Sequence, residues 1–305
     1  MLFLIYAHEI FEMVRMATIR LYADDSKLYL SYKKDSLDGD NLQDDLDRVS
    51  RWAETWQLRL SQPKCEVLYL GHGNPKKEYH MGTATLRKTD DIRDLGVQIT
   101  SDLKYHKHID LICARARRQI HFLFRAFITR NQRALLKGYC TFVRPILEYC
   151  SPVWSPSYLG DLDKIEKVQK YFTRWLHFRI SPWIQKPSYS VRLHNYNLDT
   201  LERRRLLADL KLYFQINRNF SVLTFDTFFN RPNRENPRLG NRLAVRFPKF
   251  RTEIRKHHFS IRGITAWNSL PNEIVMSQNE NIFRRKISSL DLANFLHSDR
   301  WEPRP

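Results

Sequence analysis

Apolar and polar residues alternate through residues 18–32, and the period then lengthens. Ile19, Leu21 and Ala23 fall on one side of an extended chain and Arg20, Tyr22 and Asp24 on the other. Further on, Leu28, Leu30 and Tyr32 alternate with Lys27, Tyr29 and Ser31. A period of two predicts strands, and the Asp24-Asp25-Ser26 stretch between the runs predicts the tip of a hairpin. From 40 to 59, Leu42, Leu46, Val49, Ala53 and Trp56 recur every three or four residues. This spacing predicts one face of a helix, with Asp38 or Asp40 as its starting cap. The apolar run at 2–6, "CEVLYLG" and "LGVQIT" predict further strands, the last two joined by a polar, hairpin-like segment.

From about 106 the helical period dominates. Ile109, Ile112, Ala116, Ile120, Leu123 and Phe127 form one stripe, a second helix is predicted over 131–143, and prolines interrupt "VRPILEYCSPVWSP". A third helix, 161–177, is predicted to turn Leu162, Ile165, Val168, Phe172 and Trp175 inward. "LDTLERRRLLADLKLYFQINRN" reads as a helix and "FNRPNRENPRLGNRLAV" as a loop. "FSIRGITAWNSLPNEIV" mixes strand, helix and turn, with Trp267 and Leu270 as packing anchors, and 281–297 closes the chain as a helix. The expected fold class is α+β, in three parts: 1–100, 101–180 and 181–305.

Composition supports a folded chain. Its 305 residues are 42% hydrophobic and 13% aromatic, with only 9 glycines, which excludes a disordered class. Lys plus Arg is 51 against 33 for Asp plus Glu, a net charge of +18. An excess of this size calls first for nucleic acid as partner and second for an anionic membrane, the alternative being a basic chain that is merely soluble. No apolar stretch reaches membrane-spanning length, and "MLFLIY", followed by the acidic "HEIFE", does not read as a signal peptide. The expected location is therefore intracellular, nuclear or cytoplasmic, and not secreted. Cys65, Cys113, Cys140 and Cys150 show no metal-ligand spacing and are expected as free thiols.

Two features carry chemistry. Two unit charges about 4 Å apart repel by roughly 4 kcal/mol at an effective dielectric of about 20, so the adjacent Asp24 and Asp25 read either as a cation site or as an ordinary solvated turn. Between 113 and 144 the chain carries Arg115, Arg117, Arg118, Arg125, Arg130, Arg133, Lys137 and Arg144 without a single acid. Arg118, His121 and Arg125 share a helix face opposite the apolar stripe. That face suits a phosphate backbone, the alternative being plain solvation. Phe122, Phe124 and Phe142 are expected in the core, and His257 and His258 at the surface.

The stretch "LYADDSKLYL" resembles the aromatic-x-Asp-Asp hairpin of reverse transcriptases. "LFLIYAHEI" before it, and "LQDDLDRVSRWAETWQLRLSQPKCEVLYLG", "DLGVQITSDLKYHKHIDLICARARRQIHFLFR", "VRPILEYCSPVWSP", "LDKIEKVQKYFTRWL", "LDTLERRRLLADL" and "FSIRGITAWNSLPNEIV" after it, resemble in order the C-terminal part of non-LTR, Jockey-like retrotransposon polymerases. The resemblance implies a partial palm (1–100), a helical basic thumb (101–180) and a C-terminal helical region of uncertain role (181–305). It implies Asp24 and Asp25 as Mg²⁺ ligands and catalytic acids, with Tyr22 beside primer or substrate and Lys64 near the leaving pyrophosphate. Gly96, between Leu95 and Val97, would lie against the primer end. Arg115, Arg118, Arg125, Arg130, Arg133 and Lys137 would face nucleic acid. The implied partners are an RNA template, a DNA primer and dNTP, with no membrane. One departure stands out: the family's catalytic site uses a third carboxylate on an earlier palm strand, and only the acids Glu9 and Glu12 precede Asp24. The expectation is a C-terminal fragment of such an enzyme, inactive in polymerisation by itself, with exposed sheet edges that favour association; the alternative is a non-catalytic remnant that binds RNA or primer-template through its basic thumb.

Overall fold

The computed structural model describes residues 7–31, 39–71, 73–232 and 241–297. The expected strand at 2–6, Tyr32, Asp38, the Asp40 side chain and positions 233–240 of the expected loop lie outside the described residues. The fold is mixed α and β, mainly helical, with small sheets. The chain divides into two compact units, Met1–Leu103 and Lys104–Pro305. Residues 104–180 and 181–305 fall in the same unit.

In the first unit a short helix α1 (Ile10–Met13) precedes β1 (Thr18–Tyr22) and β2 (Asp25–Tyr29), which pair antiparallel with Tyr22 opposite Asp25. The turn is therefore Ala23–Asp24 rather than Asp24–Ser26, and Asp25 opens the second strand. Helix α2 (Gly39–Thr55) packs Val49, Trp52 and Ala53 against Ile10 and Ile19. Trp56, expected on that buried stripe, lies beyond the helix end and is 37% exposed.

Three more strand pairs follow in this unit. Strand β3 (Glu66–Leu68) runs parallel to β6 (Arg87–Thr89); β4 (His80–Met81) pairs with β5 (Ala84–Thr85), and β7 (Asp91–Asp94) with β8 (Val97–Thr100), both antiparallel. Tyr79, Met81 and Leu86 form a second small core.

The second unit begins with α3 (His106–Ala126), whose buried stripe is His108, Ile109, Cys113, Ala116, Ile120 and Leu123. Helix α4 (Gln132–Gly138) is capped by the Asn131 side chain, which accepts from the Ala134 N–H at 3.1 Å. It runs into a π-helical turn, Tyr139–Val143. Gly138 permits a close approach of α4 to α3: a Cβ there would sit 2.6 Å from a Leu123 methyl. The proline-bearing stretch forms two short helices, α5 (Arg144–Glu148) and α6 (Ser151–Trp154), each with proline in its first turn.

Helix α7 (Leu159–Ile180) buries Leu162, Ile165, Val168 and Phe172 as expected, but Trp175 points outward, 46% exposed. Helices α8 (Tyr189–Tyr196) and α9 (Leu201–Asn217) are capped by Ser188 and Thr200. After α10 (Phe225–Phe228) come α11 (Glu253–Lys256), α12 (Phe259–Arg262), α13 (Ile264–Asn268), α14 (Asn272–Val275) and α15 (Glu280–Ser288). The segment expected to mix strand, helix and turn holds three short helices separated by turns at Gly263 and Ser269–Pro271 and no strand; its Phe259, Ile264, Trp267 and Leu270 converge with Tyr213 and Phe283 in one apolar core. The closing helix ends at Ser288, well before the expected 297.

A buried polar network joins the π turn after α4 to α7, α8 and the start of α9. Tyr139 donates its hydroxyl to Gln169 Oε1 (2.9 Å), and Gln169 Nε2 donates to the Asp199 carbonyl (2.9 Å). Tyr189 donates to Glu166, and the Leu201 N–H donates to the other Glu166 oxygen at 2.9 Å. Glu166 thereby holds the first turn of α9, where a carboxylate is favoured by the helix dipole.

Candidate functional site

The acid pair sits on the shortest possible hairpin. Its first turn residue, Ala23, has φ of +52°, a left-handed conformation that costs a residue with a Cβ roughly 1–2 kcal/mol. Asp24, Asp25 and Tyr22 are all exposed, Tyr22 to 66%. Neither carboxylate makes an ion pair or side-chain hydrogen bond among the described residues, which leaves four oxygens open to solvent or a cation.

Asp45, not singled out by the sequence reading, places this hairpin. Its carboxylate is fully buried and accepts from the N–H groups of Arg15 (3.0 Å), Met16 (2.8 Å) and Ala17 (2.7 Å), the residues leading into β1. Burial alone would raise its pKa; the three N–H donors and the Arg48 guanidinium beside it outweigh this and hold it below the ordinary carboxylate range. The available signal was positional. Asp45 is four residues before Val49 and seven before Trp52, so it lies on the buried face of α2, where an acid needs partners.

Gly96 lies in the Leu95–Gly96 turn between β7 and β8, with φ of +87° and Leu95 at +43°. A left-handed pair of this kind is what a two-residue hairpin requires. Lys27 of β2 pairs with Asp94, the residue before that turn, so the Gly96 hairpin is tied to the strand that Asp25 opens. Lys64 is exposed at the end of a 3₁₀ turn, Gln62–Lys64. With Ser26 and Lys27 it is among the polar residues lining a largely apolar cavity of about 710 Å³. Asp24, Asp25 and Tyr22 do not line that cavity.

Mg²⁺ takes hard oxygen ligands in near-octahedral geometry, and Asp24 and Asp25 offer the right donors. Among the described residues, however, no group of three or more His, Cys, Asp or Glu side chains could hold a metal ion. Two exposed carboxylates on a turn therefore do not fit a complete two-metal centre.

The basic residues make the clearer surface. Arg115, Arg118, Arg125, Arg130, Arg133 and Lys137 are all exposed, and none pairs with an acid among the described residues. On α3, Arg115, Arg118 and Arg125 lie opposite the stripe of Ile109, Ala116 and Ile120. Phe122, expected in the core, lies among these arginines, 64% exposed; Phe142 is likewise 51% exposed. Phe124 is half-buried and stacks on Phe172 at 5.7 Å. No helix among the described residues is long and apolar enough to cross a membrane.

No family model matches the chain, and no solved structure matches it. It is 26% identical over 125 residues to an uncharacterized protein of Caenorhabditis elegans, covering 41% of this chain and 62% of that protein. It is 25% identical over 174 residues to the RNA-directed DNA polymerase from mobile element jockey of Drosophila melanogaster, covering 55% of this chain and 19% of the polymerase. The chain thus spans less than two thirds of either relative, and it bears a distant, reverse-transcriptase-like relationship to the second.

Proposed function

We propose that this chain is the palm-and-thumb portion of a non-LTR retrotransposon RNA-directed DNA polymerase, and that its own residues bind the nucleic acid of the polymerisation reaction without completing the chemistry. The carrying observation is the exposed cationic surface of α3, α4 and the loop between them: Arg115, Arg118, Arg125, Arg130, Arg133 and Lys137, none paired with an acid among the described residues. Such a surface binds phosphates by releasing counterions, and its affinity falls steeply with salt. The likeness to the jockey polymerase supports the same reading.

In this reading Asp24 and Asp25 are the palm acids, Tyr22 and Gly96 lie along the primer, and Lys64 faces the departing pyrophosphate. The arginines and lysine of the thumb hold RNA template and DNA primer. Mg²⁺ supplies charge stabilisation at a nucleotidyl-transfer centre when all of its ligands are present. The described residues place no third carboxylate with this pair, and imperfect positioning alone removes several powers of ten in rate. Primer extension with Mg²⁺ and dNTPs is the test. The expected result is binding of primer–template duplex without extension by the 305-residue chain. Template-dependent extension that disappears in Asp24→Ala would overturn the non-catalytic part; absence of binding at low salt would overturn the whole.

A further inference from the structure

Helices α3 and α7 lie side by side, tied where Tyr171 and His121 meet (3.3 Å between Oη and Nε2) and where Arg179 donates to the Phe124 carbonyl at 3.0 Å. Along this join run three rings. His121 and Tyr171 have centroids 5.6 Å apart, and Tyr171 and Trp175 are 6.0 Å apart. The guanidinium of Arg174 sits over the Tyr171 ring at 5.5 Å. Trp175 is 46% exposed although Phe172 and Leu176, flanking it on the same helix, are wholly buried. The indole is therefore held on a rigid helix with much of its surface left to solvent.

The charge around the rings is of one sign. Arg118 and Arg125 lie beside His121 on α3, and Arg174 lies beside Trp175 on α7. From residue 114 to the end of α3, and from 167 to the end of α7, there is no Asp or Glu. The acids nearer the helix starts are engaged: Asp110 accepts from Lys164 at 2.8 Å, and Asp163 lies 3.9 Å from Lys167. An apolar protein partner would have to cover unpaired guanidinium groups here. A polyanion would not, and unpaired bases stack on exposed rings between such cations regardless of sequence.

We propose that His121, Tyr171 and Trp175, flanked by Arg118, Arg125 and Arg174, form a stacking platform for the unpaired bases of a single-stranded nucleic acid. This rests on the nucleic-acid reading above and sharpens it, because phosphate binding alone leaves the rings without a role.

The test measures binding of the full chain to three labelled oligonucleotides of equal phosphate number: a single strand, the same strand made abasic, and a duplex. The base-containing strand is expected to bind at least about tenfold tighter than the abasic one. Trp175→Ala is expected to remove most of that difference and leave duplex and abasic binding unchanged, whereas Trp175→Phe retains most of it. Arg118→Ala with Arg125→Ala is expected to weaken all three. Equal binding of base-containing and abasic strands by the unaltered chain would overturn the platform while leaving the nucleic-acid reading intact. So would a folded Trp175→Ala variant, verified by circular dichroism, that still prefers bases. Failure to bind any of the three at low salt would overturn both.

Discussion

The two units of this chain are built to different depths. Among the described residues the first carries eight short strands in four two-stranded sheets, with cores as small as Tyr79, Met81 and Leu86. The second wholly buries Trp154, Trp267, Tyr139, Tyr213, Phe172 and Phe214 and carries a buried hydrogen-bonded network around Glu166 and Gln169. A two-stranded hairpin is marginal on its own, so the acid-bearing hairpin depends on a few fixed interactions. Asp45 holds its entry, and Lys27 and Asp94 hold its flank. The cations of α3 and α4, by contrast, stand on helices whose inner faces are fully packed. Binding surfaces on rigid elements are set by packing; here the cationic surface has that support, and the acid hairpin has much less.

Removing packing from the second unit has the largest expected effect. Phe172→Ala empties the space between Tyr139, stacked at 4.1 Å, and Phe124, and is expected to cost about 3–5 kcal/mol, measured by urea denaturation followed in the far ultraviolet. Asp45→Ala strips three N–H groups at the entry to β1 of their acceptor and is expected to cost about 2–4 kcal/mol. If the shallow unit does not depend on this carboxylate, the destabilisation will fall below about 1 kcal/mol.

The same residue gives the acid limb a sign. The folded pKa of Asp45 lies below its unfolded value of about 3.9. Its stabilisation is therefore fully present above that value and disappears as pH falls through the lowered folded pKa. Asp45→Asn is expected to flatten this part of the stability–pH curve.

Smaller still, Ala23→Gly relieves the left-handed turn and is expected to stabilise by about 0.5–1 kcal/mol after glycine's entropy cost. Asp24→Asn, at an exposed position without side-chain partners among the described residues, is expected to change stability by no more than about 0.5 kcal/mol. A larger destabilisation would mean that the acid is structural.

Much of this was legible in the sequence because it depends on local periods. The hairpin, α2, α3 and α9 follow from alternation or from stripes at three and four, and Trp267 and Leu270 are buried anchors as expected. What escaped depends on distant partners or on the margin of a stripe. Trp175 lies three residues after Phe172, at the edge of the apolar face of α7, where spacing does not say whether a ring turns in or out. Phe122 sits on the arginine side of α3, where its spacing from Ile120 and Leu123 takes it off the apolar stripe. Asp45 meets its three N–H partners some thirty residues away in the chain, beyond the reach of any local pattern. The two acids themselves were plain, but no local pattern revealed the exposed, unpartnered setting in which they stand.

The salt dependence of duplex binding tests the central claim most directly. Plotted as log K against log salt, the unaltered chain is expected to give a steep negative slope, reduced by about one for each phosphate-binding cation removed. Arg118→Ala and Arg125→Ala are therefore each expected to lower affinity and flatten the slope by about one. Binding that ignores salt, or that persists unchanged without these arginines, would contradict the assignment of this surface to nucleic acid.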